Sequence, residues 1–228
     1  MGPITRYNEN GEDCVGGLIA EFMQTVLETT HARPANGHAK ANGTPKPFRW
    51  TVDQYYRMGD LGFFYGKRVQ LIKGEIIEMA PMGTPHATSV QLAYTILETV
   101  FGKGYVVRSQ LPMSFGKIDE PEPDAVVVRG SIRDFAGAHP SSAELIVEVA
   151  DTSLRLDRTK KLALYAENLI GEYWILKLKK RCLEVYRQPR QDENLGFSYA
   201  EMFVLTEDES ICPIAKPESS IKVSEMLP

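Results

Sequence analysis

The sequence predicts an α/β fold of the α+β type, in which a central mixed sheet is flanked by a few helices. Three observations carry that expectation. Residues 125–128 and 145–149 are near-continuous apolar runs of Val, Ile, Leu and Ala, the pattern of central strands buried on both faces. Helical-period stripes occur between strand-like segments, but without the regular alternation of a doubly wound nucleotide-binding fold. Glycine-rich phosphate loops are absent as well: Gly16-Gly17 and Gly102/Gly104 match neither phosphate-binding pattern.

Two regions differ in composition. Residues 1–47 carry one amphipathic stripe (Leu18, Ile19, Phe22, Met23, Val26, Leu27), then a linker rich in Ala, Asn, Gly and Pro. They are expected to form an N-terminal helix and a flexible linker outside the core. Residues 48–228 form the folded domain. Thr51 reads as the N-cap of a short helix through Tyr55, Tyr56 and Met58. Val69, Leu71, Ile76 and Ile77 flank Lys73-Gly74, a tight hairpin. Residues 81–85 form a loop, and a helix follows from about His86, burying Val90, Ala93, Tyr94, Leu97 and Phe101. Strands are expected at 105–111, through Phe115, at 124–129 and at 145–150. A helix spans about 156–168, a hairpin turns at Lys179-Lys180, and a last strand runs through Phe203 to Leu205.

The composition narrows the function. Hydrophobic residues make up 43% and charged residues 25%, which excludes a disordered or fibrous chain. The net charge of -4 means that any nucleic-acid contact needs a local concentration of cations or a bound metal. Cys14, Cys182 and Cys212 are odd in number and lack CxxC spacing, which argues for free thiols in a reducing compartment. No membrane span or secretory signal is recognisable, so a cytoplasmic location with no membrane partner is expected.

The chemistry concentrates in two acids. Asp124 heads one apolar run and Glu148 is embedded in the other. A carboxylate in a buried strand costs several kcal/mol unless it is paired, protonated or metal-bound. Two on neighbouring strands repel, and a divalent cation between them removes that cost and creates a Lewis-acid site. The competing reading is that each acid meets a nearby Arg or Lys. Lys160 and Lys161 open the following helix, and Lys161 is the candidate to orient a water. Glu75, after the hairpin glycine, is a candidate third acid or an exposed strand-end residue. His86 is a candidate for phosphate contact or proton transfer, or a partial helix cap.

These residues resemble the PD-(D/E)XK nuclease superfamily. The ordered motifs RVQLIKGEIIEM, Pro85-His86, EPEPDAVVV, LIVEVADTS and KLALYAENLIGEYWIL resemble the Uma-two group of restriction-endonuclease-like proteins, from Phe48 to the C-terminus. The resemblance implies a restriction-endonuclease-like core, DNA as substrate, Mg²⁺ or Mn²⁺ as cofactor, and a homodimer. Carried over by position, Asp124 and Glu148 are metal ligands, Val149 offers its backbone carbonyl, and Glu75 matches the acid after the hairpin glycine. Two positions depart. The superfamily lysine, two residues after the second acid, is Ala150 here, and Lys161 from the next helix takes its place. Gln70 stands where the group commonly has Glu. The expected function is a metal-dependent endodeoxyribonuclease hydrolysing DNA phosphodiesters. The alternative is a catalytically silent nuclease-fold module that binds nucleic acid or protein.

Overall fold

The computed structural model describes residues 45–192 and 196–228. The expected N-terminal helix and nearly all of its linker lie outside them. The first helix, α1 (Val52–Asp60), starts at Thr51, whose side chain accepts from Gln54 N–H while the Gln54 side chain accepts from Thr51 N–H, a complete capping box. Strands β1 (Val69–Ile72) and β2 (Glu75–Glu78) follow, with Ile72 opposite Glu75. The two-residue turn needs positive φ at both positions, supplied by Lys73 (52°) and Gly74 (69°). Gly74 is needed for a second reason, since a Cβ there would lie 2.7 Å from Arg49 Cβ.

Helix α2 (Thr84–Phe101) begins two residues before the position expected from the apolar period. Pro85 falls in its first turn, where a missing N–H leaves no bond unmade. Strands β3 (Tyr105–Arg108), β4 (Ala125–Arg129), β5 (Leu145–Ala150), β6 (Glu172–Lys177), β7 (Cys182–Asp192) and β8 (Gly196–Thr206) form one six-stranded sheet in that order. Every neighbour is antiparallel except β5–β6, which is parallel. A parallel neighbour requires a crossover. Here it is helical: α3 (Leu154–Leu156), a π-helical turn (Asp157–Lys161) and α4 (Leu162–Glu167). Short strands β9 (Ser210–Ile211) and β10 (Ile221–Lys222) pair with each other.

Two sequence expectations change. Residues around Phe115 form no strand. Phe115 N–H bonds Asp119 O in a turn, and only Glu120 bridges to Leu71. The last strand of the sheet is much longer than the run at Phe203 to Leu205, because pairing with β7 holds its less apolar half.

The sheet separates two cores. On one face α2 contributes Val90, Ala93, Leu97 and Phe101 against Val127, Val147 and Trp174, closed by Val223, Met226 and Leu227. On the other, α4 contributes Leu164, Tyr165 and Ala166 against Val126, Ile146 and Ile175. Residues alternate between the faces along each strand, as the pleat demands. The crossover is tied down electrostatically. Glu184 of β7 is fully buried and receives Arg158 from the π turn, Lys177 Nζ at 2.5 Å and Tyr186 Oη at 2.8 Å.

Burial disfavours the charge on Glu184, but Arg158, Lys177 and Tyr186 outweigh it and draw its pKa down to about 2. A depressed carboxyl pKa contributes stability above its unfolded value, and that contribution is lost as pH falls from about 4.5 towards 2. Glu184→Gln is therefore expected to lower unfolding free energy by about 2–3 kcal/mol at pH 7 and by much less at pH 3. Urea midpoints at the two pH values check this; an equal loss at both would refute the assignment.

Candidate active site

Strand geometry brings the two predicted acids together. Ala125 pairs with Val147, so extending the antiparallel register by one residue sets Asp124 opposite Glu148. Both are nearly inaccessible, at 8% and 2% exposure. Asp124 Oδ2 accepts the Val149 N–H at 2.9 Å. Its Oδ1 lies 3.2 Å from His86 Nε2 and accepts from Gln110 Nε2 at 3.2 Å.

Glu148 Oε1 accepts from two residues of the crossover, Lys161 Nζ and Tyr165 Oη, each at 2.7 Å. The π turn makes this possible. Leu162 N–H bonds Asp157 O, five residues back, and the widened turn sends Asp157 and Lys161 inward. Lys160 points outward to Glu75. Asp157 is fully buried: Oδ2 accepts from Ser153 Oγ at 2.6 Å, while Oδ1, 3.8 Å from Lys161 Nζ, accepts no hydrogen bond.

The charges do not balance locally. Asp124, Glu148 and Asp157 surround one ammonium, Lys161. Burial pushes Glu148 up to about 8 and raises Asp157, despite the Lys161 charge that opposes both shifts. Burial disfavours the Lys161 charge too, but Glu148, Asp157 and Asp124 prevail and hold it above the ordinary lysine value. Burial also opposes ionisation of Asp124. There His86, Lys161 and the Val149 N–H win, and its carboxyl stays below the ordinary range. The Asp124 hydrogen bond raises His86 against the opposing effect of burial.

Asp124, Glu148, Lys161 and His86 line one cavity of about 170 Å³, with Arg68 and the 151–153 loop on its walls. A larger groove of about 550 Å³ lies elsewhere, between α2 and β3, and contains none of these four. Glu75 is not brought to the cavity. Its carboxylate sits on the surface between Arg49 and Lys160, the outcome in which it is an exposed strand-end residue. Val149 places its N–H, not its side chain, at Asp124; the side chain lies in the opposite core. His86 does not cap its helix.

The donor chemistry fits a hard divalent cation. Three carboxylates line the cavity, Asp124, Glu148 and Asp151, the last paired with Lys179, and the buried acids outnumber the buried ammonium. Among the described residues, no group of three His, Cys, Asp or Glu side chains is arranged as a metal cage. Such a set suits an ion that keeps part of its water shell.

A family model described as "Uma2: Putative restriction endonuclease" matches residues 52–222, most of the chain. The chain belongs to the Uma2 family. A solved structure described as "a putative nuclease belonging to DUF820", from Anabaena variabilis ATCC 29413, shares the fold with a TM-score of 0.62. It is 14% identical, and the match covers 79% of this chain and 97% of that one. The search of curated proteins returned no match. The fold is thus a nuclease-like one, a six-stranded mixed sheet with few helices. Among the described residues no helix is long and apolar enough to cross a membrane.

In this Uma2 chain Ala150 is packed in the second core, and the ammonium at Glu148 comes from the crossover. Gln70 is fully buried; its Oε1 accepts from Glu122 N–H at 3.2 Å. Sequence reasoning missed Gln110, Asp157 and the role of Tyr165. Asp157 carried a signal, its i,i+4 spacing to Lys161. Tyr165 falls among the apolar positions of its helix, where nothing in the periodicity marks its hydroxyl, and Gln110 has no periodic signature.

Removing Lys161 takes the buried ammonium away from Glu148 and Asp157, while Asp124 keeps His86, Gln110 and the Val149 N–H. Lys161→Met is expected to lose about 3–5 kcal/mol of stability, and adding Glu148→Gln should recover part of it. A chemical-denaturation double-mutant cycle measures this; strictly additive losses would rule out the coupling.

Proposed function

We propose that this Uma2 protein is a metal-dependent endodeoxyribonuclease that hydrolyses phosphodiester bonds of DNA and acts as a homodimer. The observation that carries the reading is the convergence of Asp124, Glu148 and the buried Lys161 on one cavity, within a family whose model is described as "Putative restriction endonuclease". Asp124 and Glu148 are the side chains that would hold Mg²⁺ or Mn²⁺, with the Val149 carbonyl as a third donor on the family resemblance. Such an ion, when bound, supplies Lewis acidity at the phosphodiester and makes water a stronger nucleophile.

The remaining work falls to the chain. Lys161 Nζ is fixed at Glu148, where its charge can orient the attacking water and offset charge developing on the phosphate. Tyr165 and Asp157 hold that pair in place. His86, which lines the cavity with its Nε2 3.2 Å from Asp124 Oδ1, is a donor for phosphate or leaving group. Gln110 and Val149 fix the Asp124 carboxylate. Two copies related by a two-fold axis provide one site for each strand of a duplex.

With plasmid DNA and Mg²⁺ or Mn²⁺, the wild type is expected to cut. Lys161→Ala should reduce the rate on the order of a hundredfold or more and leave metal binding intact. Asp124→Ala should remove both, and Lys160→Ala neither. No cutting by wild type, with calorimetry showing no metal uptake, would instead support a silent module. Homodimer formation is checked by light scattering at high concentration, where a monomer mass would contradict it.

A saturating metal should also raise stability, by about 2.7 kcal/mol at a hundred times its dissociation constant. The increment should vanish in Asp124→Ala. Thermal midpoints with and without Mn²⁺ test this independently of DNA.

A further inference from the structure

We propose that the turn joining β6 to β7, together with Arg155, is the surface that grips the sugar–phosphate backbone of duplex DNA beside the cavity. This inference rests on the nuclease reading of that cavity. With a net charge of -4, the chain can attract phosphate only where cations are concentrated. Residues 177–181 read Lys-Leu-Lys-Lys-Arg, the densest basic segment of the chain.

The fold carries this segment to the site. Because β5 and β6 are parallel, their C-terminal ends emerge side by side, and Leu178 N–H bonds Ala150 O at 3.2 Å. Lys179 Nζ then lies 3.0 Å from Asp151 Oδ1 and 3.5 Å from its carbonyl oxygen. Asp151, Thr152 and Ser153 line the cavity itself, and Arg155 follows two residues later on α3.

The cations of this segment divide by role. Lys177 turns inward to Glu184, and Arg181 pairs with Glu207. Lys179, Lys180 and Arg155 remain exposed, Lys179 with 73% of its side chain in solvent. Neither Lys180 nor Arg155 has an acidic partner among the described residues. Asp151 is the one acid that pairs with a cation of this set among the described residues. The turn is short and anchored by Arg181 N–H to Leu178 O at 3.2 Å, so it presents its charges from paired strands and not from a long loop. An exposed basic turn is commonly just solvated. Here its hydrogen-bonded contact with a residue of the cavity wall separates it from that ordinary case.

The test is the salt dependence of binding to a labelled short duplex by fluorescence anisotropy, with Ca²⁺ in place of Mg²⁺ and strand integrity checked. The variant Arg155→Ala/Lys179→Ala/Lys180→Ala removes the surface. Lys103→Ala is the control, beyond the end of α2 and about 22 Å along that helix from His86. Each phosphate contact contributes about 0.9 to the slope of log K against log salt. The triple variant should therefore lose about 2–3 from the slope and tenfold or more in affinity at low salt, with its thermal midpoint unchanged. The control should keep the wild-type slope.

If the wild type binds and the triple variant keeps its slope, the surface assignment is overturned and the nuclease reading stands. If the slope falls as expected but the wild type never cuts with Mg²⁺ or Mn²⁺, the surface assignment holds and the nuclease reading falls. If the wild type does not bind DNA at any salt, both fall.

Discussion

The buried ion pair between Glu148 and Lys161 is the constraint around which this protein is arranged. A carboxylate in a central strand is unfavourable by several kcal/mol without a compensating charge. Glu148 has no such charge within its own sheet. The compensation must come from an element that crosses the face on which Glu148 projects, and the crossover between β5 and β6 is that element. Parallel pairing of these two strands is therefore not incidental to the chemistry. It requires a crossover, and here the crossover runs over the face where Glu148 needs a partner. The π turn then sets which side chains point inward, placing Asp157 and Lys161 inside, while Arg158 reaches the buried Glu184 and Lys160 points outward to Glu75.

Packing on the opposite face fixes the other half of the site. Helix α2 lies against the first core through Val90, Ala93 and Leu97, and its N-terminal end arrives at Asp124 carrying His86. The positive end of a helix dipole near a carboxylate stabilises its charge by roughly 0.3–1 kcal/mol. That contribution acts in the same direction as the His86, Gln110 and Val149 contacts. Asp124 and Glu148 are thus unequal acids: the first is held ionised by donors, the second is pushed towards neutrality by burial. Neither core would assemble this pair alone, since each supplies the partners of one acid.

Much of this was legible in the sequence because it follows from periodicity. The hairpin at Lys73-Gly74, the Thr51 cap, strands β4 to β7 and the stripe of α2 all have patterns that only one element satisfies. An acid interrupting a strand run was equally visible at Glu148. What escaped was set by tertiary context. Phe115 sits in a turn, not a strand, because Asp119 and Pro121 supply backbone partners that no local pattern encodes. Glu75 follows the hairpin glycine as expected, yet the register of the crossover gives it Lys160 and so holds it at the surface. Tyr165 looked like core packing because its ring is core packing; the hydroxyl that reaches Glu148 adds nothing to hydrophobic periodicity.

The surplus of buried acid bears on why this arrangement persists. Stability alone would favour an apolar set of similar volume in place of Glu148, Asp157 and Lys161, since desolvation offsets most of what a buried ion pair returns. A third acid makes the balance worse: Asp157 Oδ1 accepts no hydrogen bond and lies 3.8 Å from the nearest cation. The cluster makes physical sense if the missing positive charge arrives with a ligand. The same reasoning separates this cavity from the larger apolar groove beside α2, which has more room but no convergence of buried charge. Volume marks where something can fit; the surplus of buried acid is what supports a positively charged ligand in the function proposed here.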